Sequence, residues 1–158
     1  LPDTSPTRKP ATLPPTAQSL PVSLIRAREA VMAPIRKMLA KAGITEQQWR
    51  VLRVLSEGGK MDAGMLANRA ALMSPSLSRI VHSMEKAGLV SREADATDRR
   101  RQHIAITAAG QAIIDDHMAE ASDIAAHYRS ILGDSDHDTL LALLRKLALA
   151  IEDQDSTP

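Results

Sequence analysis

The sequence has no cysteine and no phenylalanine, and its 158 residues hold one Trp and one Tyr. Without cysteine there are no disulfide staples, thiolate zinc sites or cysteine nucleophiles, a composition that fits a cytoplasmic location. With so few aromatic faces, the chain cannot build a base-stacking platform for single strands. Its core must come from Leu, Ile, Val, Ala and Met, which suits helices packed on helices. No apolar run approaches the roughly 20 residues of a membrane span, so no membrane partner is expected. The proline-rich opening stretch lacks the hydrophobic core of an export signal. There is no glycine-rich phosphate loop, no activated-serine elbow and no recognisable pair of catalytic carboxylates. Asp116, Glu120, Asp123 and His127 share a helical face, and carboxylates with a histidine can hold a divalent metal. A solvated acidic face is the expectation there, and neither a metal nor any other cofactor is expected.

What is present is the make-up of an ordinary globular protein of one domain, 44% hydrophobic and 25% charged. The net charge of +1 conceals an uneven distribution. Residues 1–58 hold nine Lys and Arg against four Asp and Glu, and residues 60–106 hold eight against five. Residues 111–155 reverse the balance, with three against ten. A nucleic-acid surface is therefore permitted in the first two-thirds of the chain and disfavoured in the last third.

Six of the nine prolines fall in residues 1–21, a segment too poor in large apolar groups to order itself, so it is expected to be a disordered arm. From Val22 the spacing of Ile25, Arg28, Met32, Ile35 and Leu39 predicts a helix that stops at Gly43, with a kink at Pro34. Thr45 and Gln48 form a capping-box pattern, opening a helix with Trp49, Leu52 and Leu55 on one face and Gly58-Gly59 at its end. Asp62 starts a short helix. After a break at Ala71-Leu72-Met73, Ser74-Pro75 opens another, with Ser74 as the expected N-cap. Val90–Glu93 and His103–Thr107 read as short strands, and Thr107 caps a long helix to about Ile131. Gly133 breaks it, and a last helix runs from about Asp136 to Ile151. The predicted fold is mostly α: a winged helix-turn-helix with a small two- or three-stranded β wing, and further helices before and after it.

The chemistry concentrates between Asp62 and Thr107. A helix-turn-helix can lay its second helix in a major groove, N-terminal residues at the base edges. Here those residues are Ser74, Ser76, Ser78 and Arg79, with His82 about one turn further on. Small side chains permit close approach, hydroxyls bond bases or phosphates, and arginine is the commonest guanine reader. By itself this segment would equally suit a winged helix that binds protein and not DNA. The loop between the strands tips the balance toward DNA, although three consecutive arginines can also be a solvated turn. Asp98, Arg99, Arg100 and Arg101 put guanidinium groups at the tip of a ribbon, a shape suited to a narrow, electronegative minor groove. A partner of double-stranded DNA follows.

These segments resemble the MarR family of transcriptional regulators. The resemblance rests on Asp98-Arg99-Arg100 followed by Ile106-Thr107-Ala108-Ala109-Gly110. It rests also on Leu66-Ala67, on Ser74-Pro75-Ser76-Leu77-Ser78-Arg79-Ile80 and on Met84-Glu85-Lys86-Ala87-Gly88-Leu89-Val90. It implies a homodimer built from residues 22–43 and 108–152, a DNA-binding lobe at 45–107, and a tail at 153–158. It further implies a palindromic operator, and that Asp98 braces Arg100 as a minor-groove finger, though a run of three arginines leaves the choice among them open. Arg28-Glu29-Ala30 and Ile44-Thr45-Glu46-Gln47-Gln48-Trp49-Arg50-Val51-Leu52-Arg53 are similar to the branch that represses aromatic-acid catabolic genes. That likeness implies a repressor released by a small anionic aromatic ligand. Separately, Arg28 lies on an apolar stripe with no acidic residue at a helical neighbour on that stripe, where a charge needs a partner. That partner is either a carboxylate elsewhere in the dimer or a carboxylate ligand held bidentately. Trp49 and His103 are candidates to wall such a ligand pocket, set against the commoner roles of core packing for one and surface for the other.

Overall fold

A computed structural model describes residues 13, 15–94 and 102–155. The chain divides between Ala33 and Pro34 into two units. In the first, a 3-10 turn at Thr16–Gln18 leads into helix α1 (Leu20–Ala42). The helix begins two residues before the apolar pattern does, because Pro21 fits a first helical turn without losing a bond. The expected disordered arm therefore gives way to structure before residue 21, while residues 1–12 and 14 lie outside the described residues. Pro34, where a kink is predicted, falls within the span of α1 and is the first residue of the second unit.

In the second unit, α1 ends at Gly43, and α2 (Glu46–Gly58) opens on the predicted capping box. Thr45 Oγ1 accepts from the Gln48 N–H at 3.2 Å, and Gln48 Oε1 accepts from the Thr45 N–H at 2.9 Å. Strand β1 (Met61–Asp62) follows, then α3 (Ala63–Arg69), whose N-cap Asp62 accepts from the Met65 N–H at 2.8 Å. Helix α4 spans Ser74–Lys86, β2 Val90–Ala94, β3 Gln102–Ile106, α5 Ala108–Leu132 and α6 Asp134–Asp155. The sheet is antiparallel in the order β1-β3-β2, with Met61 opposite Ile104 and Val90 opposite Ile106. Its third strand, β1, is too short to show alternation, and its partner lies some forty residues ahead in the sequence, so only the folded chain reveals it.

The core is apolar throughout. Met38 and Leu39 of α1 meet Trp49, Val51, Leu52 and Leu55 of α2, and Leu66 and Ala67 of α3. Leu77, Val81 and Met84 of α4, Val90, Ile104 and Ile114 close it. Helix α5 joins this core through Ile114, with Ile113, Ala121 and Ile124 packed against it. Thr107 accepts from the Gly110 N–H at 3.1 Å as the cap of α5 and donates to the Gly88 carbonyl at 2.7 Å. Gly110 permits the approach: a Cβ there would collide with the Leu89 carbonyl and crowd Ile106 and Leu52. Among the described residues, none of α6 joins the core, and Leu140, Leu141, Leu143, Leu144, Leu149 and Ile151 are exposed. Among them, too, no helix is long and apolar enough to cross a membrane.

Candidate nucleic-acid interface

The turn between α3 and α4 is held from several sides. The Ala71 N–H bonds the Asn68 carbonyl at 3.1 Å, and the Leu72 N–H bonds the Ala67 carbonyl at 2.9 Å. Ala71 sits at φ 51°, a left-handed conformation that costs a non-glycine residue about 1 kcal/mol or more. Arg50 of α2 offsets some of that cost by donating from Nη1 to the Ala71 carbonyl at 3.1 Å. Leu72 is half-buried against the core.

From this turn α4 emerges with its two faces sharply separated. Leu77, Val81 and Met84 are buried and Ile80 is half-buried. Ser74, Ser78, Arg79 and His82 are exposed, and Ser76 is half-buried at the boundary. Helical spacing accounts for the division, since positions 77, 81 and 84 recur on one side and 78, 79 and 82 on the other. Ser74 is the first residue of the helix and not its N-cap. That position belongs to Met73, whose carbonyl accepts from the Leu77 N–H at 2.9 Å, so no side chain caps α4 and Pro75 sits within its first two positions. The first-turn N–H groups of α4 are thus left without a capping side chain, which favours an anionic neighbour.

Beside α4 lies a cleft of about 590 Å³. It is lined by Thr45, Gln47 and Gln48 from the start of α2, by the turn at Ala71–Met73, and by Ser76, Arg79, Ile80 and Ser83 of α4. The sequence reading missed this juxtaposition, because nothing in the spacing of Gln47 and Ser83 brings them together.

The wing is fastened to the base of the same helix. Strands β2 and β3 stay in register as far as Ala94 opposite Gln102. Arg92 Nε donates to Glu85 of α4 at 3.3 Å, and Lys60 Nζ pairs with Glu93 at 2.8 Å. Asp98, Arg99, Arg100 and Arg101 fall between these paired strand ends in sequence and lie outside the described residues.

The three candidate ligand residues differ in exposure. Arg28 is exposed, its side chain 58% accessible, and Nη1 donates to Glu29 Oε1 at 2.9 Å. Glu29 stands at the adjacent position, off the apolar stripe, and in this chain the exposed charge bears no burial cost. Trp49 is buried in the core, so it packs between helices and does not line an open wall. His103 is half-buried in β3, opposite Asp62 on one side and Glu93 on the other. Of the acidic face on α5, Glu120 is engaged by Lys41 Nζ at 2.8 Å and 3.1 Å. Among the described residues, no three His, Asp or Glu side chains are grouped to hold a metal ion.

A buried-back, polar-front second helix with a hairpin fastened to it is the arrangement of a winged helix-turn-helix. Residues 42–101 match the model of the MarR family. The chain is also 39% identical over 135 residues to the HTH-type transcriptional regulator FarR of Neisseria gonorrhoeae, covering 85% of this chain and 92% of that protein. This chain belongs to the MarR family. As a MarR-family protein it is a transcriptional regulator. The homoprotocatechuate degradative operon repressor of Escherichia coli is 43% identical over 95 residues, 60% of this chain and 64% of that repressor. A crystal structure of NadR in complex with 4-hydroxyphenylacetate superposes with a TM-score of 0.72 at 37% identity, covering 91% of this MarR chain and 98% of NadR.

Proposed function

We propose that this regulator is a dimeric repressor that binds a palindromic operator in double-stranded DNA and leaves it when a small aromatic carboxylate binds. The observation that carries the DNA reading is α4: a wholly apolar back seated in the core beneath an exposed front of Ser74, Ser78, Arg79 and His82. Those side chains, with Ser76 at the edge, are assigned to the major groove, and Arg99, Arg100 and Arg101, braced by Asp98, to the minor groove. Residues 22–43 and 108–152 are assigned to dimerisation, which would set two α4 helices roughly one turn of DNA apart. The exposed leucines of α6 support this assignment.

The ligand reading draws on likeness. One relative is named a repressor of a homoprotocatechuate degradative operon, and one neighbour was crystallised with 4-hydroxyphenylacetate. An exposed guanidinium such as Arg28 can hold a carboxylate bidentately. Ligand binding favours a lobe spacing that does not match the operator, so DNA affinity falls by population shift.

The test is duplex binding as a function of salt, with and without 4-hydroxyphenylacetate. Affinity should fall steeply as salt rises, because neutralised phosphates release counterions. Arg79→Ala should lower affinity about five- to 150-fold, from the loss of a groove contact of about 1–3 kcal/mol. Arg28→Ala should keep operator binding and lose the ligand response. A protein that ignores duplex DNA even at low salt would instead be a winged helix that binds protein. One that binds DNA with no response to the aromatic acid would lose the ligand reading alone.

A further inference from the structure

Among the described residues, most exposed large apolar side chains lie on α1, α5 and α6, while Leu13, Met65 on α3 and Met73 do not. Met73 is 78% exposed at the N-cap of α4. Between residues 72 and 83 it is the only large apolar side chain left open, since Leu77 and Val81 are buried and Leu72 and Ile80 are half-buried. Its neighbours at the leading edge are short, Ser74, Pro75 and Ser76, and it lines the cleft beside α4 together with Ser76 and Arg79. The backbone that presents it is fixed from behind, by the Leu72–Ala67 bond, by the seating of Leu72 against the core, and by the Arg50 guanidinium on the Ala71 carbonyl. An exposed methionine on so well-anchored a turn is a built feature of the α4 front, yet it offers no hydrogen bond worth the name to a base or a phosphate.

The major-groove edges of the four bases present donors and acceptors, with one large apolar exception, the C5-methyl group of thymine. Methionine suits that group, because its unbranched, polarisable thioether adapts to a knob whose position shifts with local groove geometry. We infer that Met73 is a specificity-determining residue that packs on a thymine methyl at one position in each half-site. This inference rests on the reading in which α4 enters the major groove.

The experiment uses the full chain and a duplex recovered by the wild-type protein from a randomised pool. Each thymine of the recovered site is replaced singly by deoxyuridine, which removes one methyl group and leaves base pairing intact. Affinities are compared at one fixed salt concentration for wild type, Met73→Ala and Met73→Gln, with thermal melting as the folding check. Wild type should lose about fourfold at one position of each half-site, the loss expected when a single methyl leaves an apolar contact. Both variants should be indifferent to the methyl at that position, while Met73→Leu keeps the response. Tolerance of deoxyuridine at every position by the wild type overturns the inference, as does an undiminished fourfold loss in either variant. Recovery of no duplex at all overturns the DNA-binding reading and this inference together, a result distinguishable from uniform tolerance.

Discussion

The winged lobe and helix α6 are both rich in leucine and alanine, yet they dispose of them in opposite ways. In the lobe, Leu52, Leu55, Leu66 and Leu77 are each at most 1% exposed. On α6, Leu140 is 44%, Leu143 58% and Leu149 61% exposed. The lobe therefore completes its core within one chain, whereas α6 carries an apolar surface that one chain leaves open. An open surface of that kind is commonly an interface, and the proposed dimer would cover it. The two regions should then respond to mutation by different laws: the lobe through stability at any protein concentration, α6 through association.

The largest effect should come from putting a charge into the α6 stripe. Leu144→Asp is expected to convert the proposed dimer to monomers by sedimentation and to abolish measurable duplex binding, because a lone lobe would lose the avidity of two linked ones. The lobe should remain folded, with its tryptophan emission unchanged, since Trp49 lies in the other region. A variant that stays dimeric would break the comparison. Next in size is Leu52→Ala, which removes a fully buried side chain and should cost about 3 kcal/mol in denaturant unfolding. That cost should be the same at low and high protein concentration when measured in the Leu144→Asp background.

Gly110→Ala sharpens the boundary between the regions, because Gly110 is where α5 meets the lobe. The added methyl would meet a backbone carbonyl, that of Leu89, and not a flexible side-chain end. Overpacking of this kind costs about 1–3 kcal/mol. Loss of stability without loss of dimerisation is the expected signature, and an unperturbed melting temperature would mean that α5 does not seat as closely as described.

Much of this division was legible before folding. Caps are local, so Thr45, Asp62 and Thr107 could be read from residues three or four positions away, and each makes the expected bond. The mostly helical fold with its small sheet followed from periodicity. What escaped depends on groups far apart in sequence or on a one-residue shift. Strand β1 exists because Met61 meets Ile104. Ser74 lost its capping role because the chain enters the helix at Met73. Arg28 looked costly on an apolar stripe, but a stripe is only buried if something covers it, and periodicity cannot say so. The cleft between α2 and α4, and the exposure of Met73 at its edge, likewise needed three dimensions.

The smallest predicted effect concerns how the two regions are held. The lobe is held by burial; the α5–α6 corner at Gly133 is held by surface charge. Arg129 donates to Asp134 and to Asp138, both at 3.0 Å, and His137 Nδ1 lies 3.2 Å from Asp138. The hydrogen bond from His137, and then that from Arg129, pull the Asp138 carboxyl below its ordinary value of 3.8, while Arg129 is raised by the same contacts and stays charged. A carboxyl lowered in the folded state stabilises it at pH values above the ordinary one, and that contribution drains away as pH falls through 3.8 and then through the depressed folded value. Acid should therefore loosen the α5–α6 corner, seen as a loss of amide-exchange protection at residues 130–138, each rate taken relative to the unfolded chain at the same pH, before the lobe yields. Because these groups are exposed, high salt should shrink the effect, and Asp138→Asn should remove most of the pH dependence at neutral-pH stability close to wild type. If residues 130–138 instead exchanged in step with Leu52 and Leu66 throughout the acid range, the corner would be held by the same packing as the lobe, and the contrast between the two regions would not extend to their junction.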